Sequence, residues 1–291
     1  MPRNEREPGF ALLMVLVVLA VAGSLLGLCA HRSSRRALDA GLEVRGLQRK
    51  WAVWSIEATC LARAEAILVE GTPEGGPPPA IVRQSIDLGG QTFDLVVADE
   101  QAKANVNQVA AARGPDGVRA CAGAVGEGRW VLQVLPRPVE TKTAEIRSPR
   151  VLYVSLEQVF SDASAADLLG AGPDRPGPAD RLTCWGNGRV HFRRAPAAVL
   201  GQALDGLLTQ YDLHRLLTLR DELPGAGLSE ILARLGLKDT VQAEAEKRLT
   251  QSSTCHSLWI VARGRTRDWY RLTVRQEGDA ENDAGRWTFV W

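Results

Sequence analysis

The sequence lacks any surplus of charge: its 291 residues carry 35 Lys and Arg against 34 Asp and Glu, a formal net charge of +1. Bulk electrostatics therefore select no acidic or basic partner. Cysteine is sparse, with five residues and no CxxC pair, which argues against a metal knuckle drawing two ligands from one tight turn. No Gly-rich phosphate loop, HExxH or GxSxG occurs, and His31, His191, His214 and His256 are scattered, so no catalytic constellation stands out and a non-enzymatic role is expected. Its 28 Gly and 15 Pro are too few and too scattered to suggest a disordered chain, and its length allows one or two domains with a sizeable core. Two local absences say more. No charged residue occurs from Phe10 to Ala30, and no proline occurs between Pro8 and Pro73.

The uncharged run FALLMVLVVLAVAGSLLGLCA would be about 31 Å long as a helix, enough to cross a hydrocarbon core. A cleavable secretory signal normally has a shorter apolar region. A lipoprotein signal would use Cys29, but Leu28 stands where a small residue is needed. Hydropathy alone leaves a plain signal anchor open, so the junction before the run decides.

That junction reads Arg3-Asn4-Glu5-Arg6-Glu7-Pro8-Gly9-Phe10: a short polar leader, a glycine, then phenylalanine and the apolar run. It resembles the class III signal of type IV pilins and type II secretion pseudopilins. The resemblance implies that a prepilin peptidase cuts after Gly9 and methylates Phe10. A glycine without a side chain leaves room for a protease at the membrane surface. Major pilins carry glutamate at the fifth mature position, where this chain has Met14. Absence of that acid resembles the general secretion pathway protein K family, minor pseudopilins at the pseudopilus tip with no subunit above them to pair with. The resemblance places the N-terminus in the cytoplasm and the body in the periplasm, anchored by a single pass in the bacterial inner membrane. Arg32, Arg35 and Arg36 after the span outnumber Arg3 and Arg6 before it, and the positive-inside rule points the other way.

Beyond the span, apolar positions recur at Leu38, Leu42, Leu47, Trp51, Trp54, Ala58, Leu61 and Leu68, nearly all three or four residues apart. This spacing predicts one helix from Phe10 to about Glu70, with Trp51 and Trp54 packing it against the body. GTPEGGPPP, residues 71–79, ends it. Residues 81–98 then read as a β-hairpin around Gly89-Gly90, and Leu258 to Ala262, Trp269 to Arg275 and Trp287 to Trp291 read as three further strands. The expected fold class is α+β: an N-terminal transmembrane and spine helix packed on a small antiparallel sheet, pilin-like, with an inserted, mainly helical domain. The expected divisions are a leader over 1–9, the span over 10–30, the spine and first sheet strands over 31–110, the insertion over 111–250 and the closing strands over 251–291.

Two segments mark the insertion. Asp99-Glu100-Gln101-Ala102-Lys103-Ala104-Asn105-Val106-Asn107 resembles the protein K pattern D-E-x-G-K-x-N-x-N, with Ala102 in place of the glycine and Gln108 in place of a threonine, and so assigns Asp99, Glu100, Lys103, Asn105 and Asn107 to a family signature. Alternation of Ala104 and Val106 with the asparagines suits a short edge strand whose side chains bond to a turn. The second, Gly188 to Leu200, resembles the family's G-K-x-N-x-N-T-A-P element but carries His191 and Arg193 where asparagines are usual. Pro196 suits the first turn of a helix. The two segments read as a weak internal repeat.

Three features keep other readings open. Leu223-Pro224-Gly225-Ala226-Gly227 has the turn of a helix-hairpin-helix DNA binder, but Asp221, Glu222 and Glu230 flank it where phosphate would sit, and no nucleic acid is expected. Asp279, Glu281, Asn282 and Asp283 are candidate calcium ligands by analogy with acidic loops of some pseudopilins, calcium being the one cofactor suggested; a solvated turn is the alternative. Cys60, Cys121, Cys184 and Cys255 allow two bridges in any of three pairings in an oxidising compartment, or stand as buried thiols. The resemblance implies a structural subunit that caps and initiates a pseudopilus for export of folded proteins. Its partners would be other minor pseudopilins, the major pseudopilin and the prepilin peptidase. The alternatives are a membrane-anchored DNA receptor of a competence system and a minor pilin of a type IV pilus.

Overall fold

The structure, a computed structural model, describes residues 8–73, 76–126, 153–160, 162–172, 174–264, 267–278 and 285–291. The chain divides into two compact units, Met1–Trp54 and Ser55–Trp291.

In the first unit the described residues are helical. They begin α1, which spans Pro8–Ala62. From Phe10 to Leu47 its large apolar side chains are exposed: Phe10, Leu12, Met14, Leu16, Leu19 and Leu26 are each at least half exposed. An 18-residue stretch has a mean hydropathy of 2.8 and buries nothing, so α1 is long and apolar enough to cross a membrane by length and composition. A helix hydrophobic on every side needs an apolar surrounding.

In the second unit the end of α1 leads into α2 (Ala64–Glu70), and the predicted single helix is broken at Arg63. There the backbone leaves helical geometry (φ −115°, ψ 18°), and the Arg63 amide bonds three residues back to Cys60 instead of four. Next come β1 (Ile81–Leu88) and β2 (Gln91–Asp99). They are joined by Gly89 and Gly90 at φ +62° and +75°, the all-positive pair that a two-residue type I′ hairpin demands. The chain then leaves the sheet through β3 (Ala104–Asn105), α3 (Val106–Val125, bent at Gly114-Pro115), α4 (Ala165–Leu169), β4 (Gly170–Gly172), β5 (Arg175–Pro176), β6 (Leu182–Thr183), β7 (Val190–His191), α5 (Ala197–Ala203), α6 (Gln210–Glu222), α7 (Leu228–Leu235), α8 (Asp239–Arg248) and β8 (Leu249–Thr250). It returns as β9 (Cys255–Ala262), β10 (Trp269–Gln276) and β11 (Gly285–Val290).

The sheet is antiparallel throughout, in the order β1-β2-β9-β10-β11. All eight residues of β9 are buried, because this central strand is covered on both faces. Strand alternation sorts the two faces. Val96, Cys255, Trp259, Val261, Leu272 and Val274 share one hydrophobic core with α3, α5, α7 and Tyr153, Phe160 and Phe192 of the insertion. Leu95, Val97, Leu258 and Ile260 fall on the opposite face, against which α2 packs. There the spine buries Ile56, Leu61, Ala64 and Leu68. The apolar spacing pointed elsewhere: Trp51 and Trp54 are 65% and 62% exposed, with their rings edge to face at 5.8 Å. The stripe that predicted packing for them counted apolar residues only, whereas the buried face runs through a glutamate, Glu57.

Candidate functional site

The signature segment sits at the exit from β2, and its side chains are buried partners of the structure around them. Asp99 ends β2 with Oδ1 accepting from the Gln101 amide (2.9 Å) and the Ser253 hydroxyl (2.6 Å), while Oδ2 accepts from Arg194 at 3.2 Å. Glu100 accepts from Lys103 and from the Ser257 hydroxyl on β9; Glu100 and Lys103 are 1% and 3% exposed, so the pair joins the insertion to the central strand out of water. Gln101, outside the set assigned from sequence, spans the same gap. Its amide nitrogen donates to Asn187 (2.6 Å) and its oxygen accepts from the Thr254 amide (2.6 Å).

The two asparagines act on loops and a helix end. Ala104 and Asn105 pair in parallel with Leu182 and Thr183, so this two-residue strand lies inside, and Val106 already begins α3. Asn105 caps α3 by accepting from the Gln108 amide (3.1 Å) and donates to the Trp185 carbonyl (2.9 Å). Asn107 donates to the carbonyls of Cys184 (2.8 Å) and Tyr153 (2.9 Å) and accepts from the Tyr153 amide (2.8 Å).

The second segment repeats this clamp with different residues. Val190 and His191 pair in parallel with Leu249 and Thr250 ahead of α5, as Ala104 and Asn105 pair with Leu182 and Thr183 ahead of α3. His191 Nδ1 accepts the amide three residues on, that of Arg194 (3.2 Å), as Asn105 accepts that of Gln108. Two positions later Arg193 donates to the carbonyls of Arg220 (2.7 Å), Leu223 (2.8 Å) and Ala226, as Asn107 donates to its two. Thr183 and Thr250 each accept the amide two residues ahead. The repeat is therefore one of hydrogen-bond roles. Pro196 lies at the N-cap of α5, one residue before the expected first turn.

Arg193 also accounts for the Leu223–Gly227 turn, whose carbonyls face its guanidinium; the acidic Asp221 and Glu230 are about half exposed beside the turn.

Charged residues of the spine, absent from the sequence reading, bind the sheet. Glu57 is buried and accepts from Arg271 (2.6 and 3.1 Å) and Arg286 (3.0 Å), with Thr273 as a further donor. Burial pushes its carboxyl up, but the Arg271 and Thr273 hydrogen bonds and the two guanidinium charges outweigh this and hold it below the usual range. Glu65 on α2 meets His256 on β9 (3.3 Å) and Arg194 (2.5 and 2.7 Å). The His256 and Arg194 hydrogen bonds hold its carboxyl well below the usual range. Arg194 also reaches Asp99, so spine, sheet and insertion meet at one guanidinium. Two of the four scattered histidines thus come into one neighbourhood: His256 touches Glu65, and His191 lies within the fields of Asp99, Arg194 and Glu65.

All five cysteines are free thiols: Cys29 is exposed, Cys60 half-buried, and Cys121, Cys184 and Cys255 buried. Burial pushes the Cys121 thiol up to about 11 and raises Cys184 and Cys255, keeping them protonated and unreactive. Among the described residues no three His, Cys, Asp or Glu gather where they could hold a metal ion. The calcium candidates Asp279, Glu281, Asn282 and Asp283 lie outside the described residues, as does the leader up to Glu7. Phe10 and Met14 are exposed on the first turns of α1.

The arrangement is α+β, with a long apolar N-terminal helix, an antiparallel sheet and further helices. No family model matches the sequence, and no curated protein matches it. The chain is similar to a chain in the crystal structure of the GspK-GspI-GspJ complex from the enterotoxigenic Escherichia coli Type 2 Secretion System, with 13% identity and a TM-score of 0.45, over 86% of this chain and 99% of that one.

Proposed function

We propose that this chain is a membrane-anchored minor pseudopilin, a structural subunit that caps and initiates the tip of a type II secretion pseudopilus. The observation that carries the reading is the start of the spine. A helix whose large apolar side chains are exposed from Phe10 to Leu47 includes the Gly9-Phe10 junction and runs on from it without proline to Ala62, where Glu57 fastens its last turns to the sheet. Such a helix waits in the inner membrane until the prepilin peptidase frees and methylates Phe10, then packs among the spines of other subunits. Met14, in place of the acid that would pair with a subunit above, supports an end position. So does the bulk of residues 100–254, all inserted between two adjacent strands, β2 and β9. The N-terminus is cytoplasmic and the body periplasmic. The partners are other minor pseudopilins and, below them, the major pseudopilin, with calcium at residues 279–283 as a secondary expectation.

Co-expression with a prepilin peptidase, followed by intact mass measurement and N-terminal sequencing, tests the reading. Methylated Phe10 is the expected N-terminus; retention of Met1, or cleavage near Ala30, would overturn it. Binding of the body to minor pseudopilins encoded beside it tests the tip position, with DNA as the comparison ligand.

A further inference from the structure

The two clamps perform the same task with side chains that differ in one chemical respect. Asn105 accepts the Gln108 amide through a carbonyl oxygen that keeps its lone pairs at any ordinary pH. His191 accepts the Arg194 amide through Nδ1 (3.2 Å), and an imidazole nitrogen accepts only while it is unprotonated. The same ring is hydrogen-bonded to the backbone of Gln251, next to the strand partner Thr250, a bond that favours the protonated ring and is outweighed by burial.

We propose that the second clamp is an acid-sensitive latch: a proton taken up by His191 Nδ1 removes the acceptor for the Arg194 amide and frees the turn that holds Arg194 between the spine and the sheet. The consequence reaches beyond β7 because of where Arg194 points. Its guanidinium is 3% exposed and bridges Glu65 on α2 and Asp99 at the end of β2, so a loosened backbone at Arg194 relaxes the contact between insertion, sheet and spine.

The charged groups around the ring set the balance. Asp99 and Glu65 attract an imidazolium, whereas Arg194 repels it. His256 faces the same Glu65 from β9 and competes for its carboxylate. Glu100, in the 100–102 segment packed on β7, accepts from Lys103 and Ser257 on one oxygen, and its other oxygen is buried without a hydrogen-bond partner. Arg189 is committed to the carbonyls of Glu246 and Leu249, and Arg193 to those of the 220–226 turn. Neither α5 nor β8 carries a titratable side chain. Burial outweighs the carboxylates and lowers the affinity of His191 for a proton. A base held below its ordinary value of 6.5 contributes stability that is whole above that pH and declines as the pH falls through and below it.

The test uses the full chain in detergent micelles, with amide hydrogen exchange read between pH 7.5 and 5.0 and corrected for the intrinsic pH dependence of exchange. Protection of the segment from Arg194 through α5 is expected to fall about tenfold for each unit by which His191 sits below a free histidine. Val106 to Val109, behind the asparagine clamp, should not change. His191→Asn, which installs the side chain of the first clamp, is expected to abolish the fall, and His256→Gln to leave it in place. A fall that survives in His191→Asn, or vanishes in His256→Gln alone, would overturn the proposal. Should His191→Asn fail to fold, histidine-labelled NMR of the wild-type chain decides: the Nδ1 resonance must change with the same midpoint as the protection, and a different midpoint sinks the latch.

Discussion

Glu57 shows how a single residue fastens the last turns of α1 to the sheet. An isolated carboxylate on a buried helix face would be costly, yet here two arginines and a threonine from β10 and β11 fill its lone pairs. Glu57→Gln keeps the volume and removes the charge, leaving Arg271 and Arg286 facing a neutral amide. The expected cost at neutral pH is about 2 kcal/mol, the range for hydrogen bonds to a charged group, measured by urea denaturation of the body. The sign of the pH dependence follows from the lowered carboxyl: its contribution is whole above about 4.5 and is lost as the pH falls toward the depressed folded value. The variant should therefore lose less stability than the wild type below pH 4.5, and an identical acid profile would remove Glu57 from the account. Its role was illegible in the sequence because helical periodicity is scored on apolar residues; a glutamate one position after Ile56 looks like a solvated face until Arg271 and Arg286, more than 200 residues away, arrive beside it.

At the level of elements, the readable features were those whose chemistry is local. Gly89-Gly90 fixes a hairpin by itself, since only a pair tolerant of positive φ closes a two-residue loop with the right twist. The strands at both ends of the chain and the length of the spine were also legible, apart from the break at Arg63. The clamps were half legible. The asparagine pattern marked the place, but what the side chains hold is Trp185, Cys184 and Tyr153, 46 to 80 residues away. The replacement of asparagine by His191 and Arg193 looked like loss of the motif, when donor and acceptor roles are kept. Asn107→Ala tests that view. It removes two donors and one acceptor and leaves the Tyr153 amide and two carbonyls without partners, for an expected loss of about 3 kcal/mol. Amide exchange should rise around Tyr153 and Cys184. A loss below about 0.5 kcal/mol would mean that the segment is a passive linker.

For the whole molecule, the division between Trp54 and Ser55 predicts where the chain can be cut. The described residues before it are helix, and their large apolar side chains from Phe10 to Leu47 are exposed and need an apolar surrounding. The described residues after it gather on one sheet, lined on one face by the core shared with α3, α5 and α7 and on the other by Ile56, Leu61, Ala64 and Leu68. A chain starting at Ser55 keeps all four of those side chains and Glu57, and is expected to be soluble and to unfold cooperatively. A chain starting at Arg63 loses Ile56, Leu61 and Glu57 together. Two buried aliphatic side chains at about 2–3 kcal/mol each, added to the loss of the Glu57 carboxylate, approach the total stability of an ordinary domain. That second chain should bind a hydrophobic dye and lack a sharp thermal transition. Comparing the two by calorimetry and near-UV circular dichroism locates the N-terminal boundary of the folded body. Equal stability of both chains would show that the last turns of α1 do not belong to the folded body, and the fastening role assigned to Glu57 would fall with them.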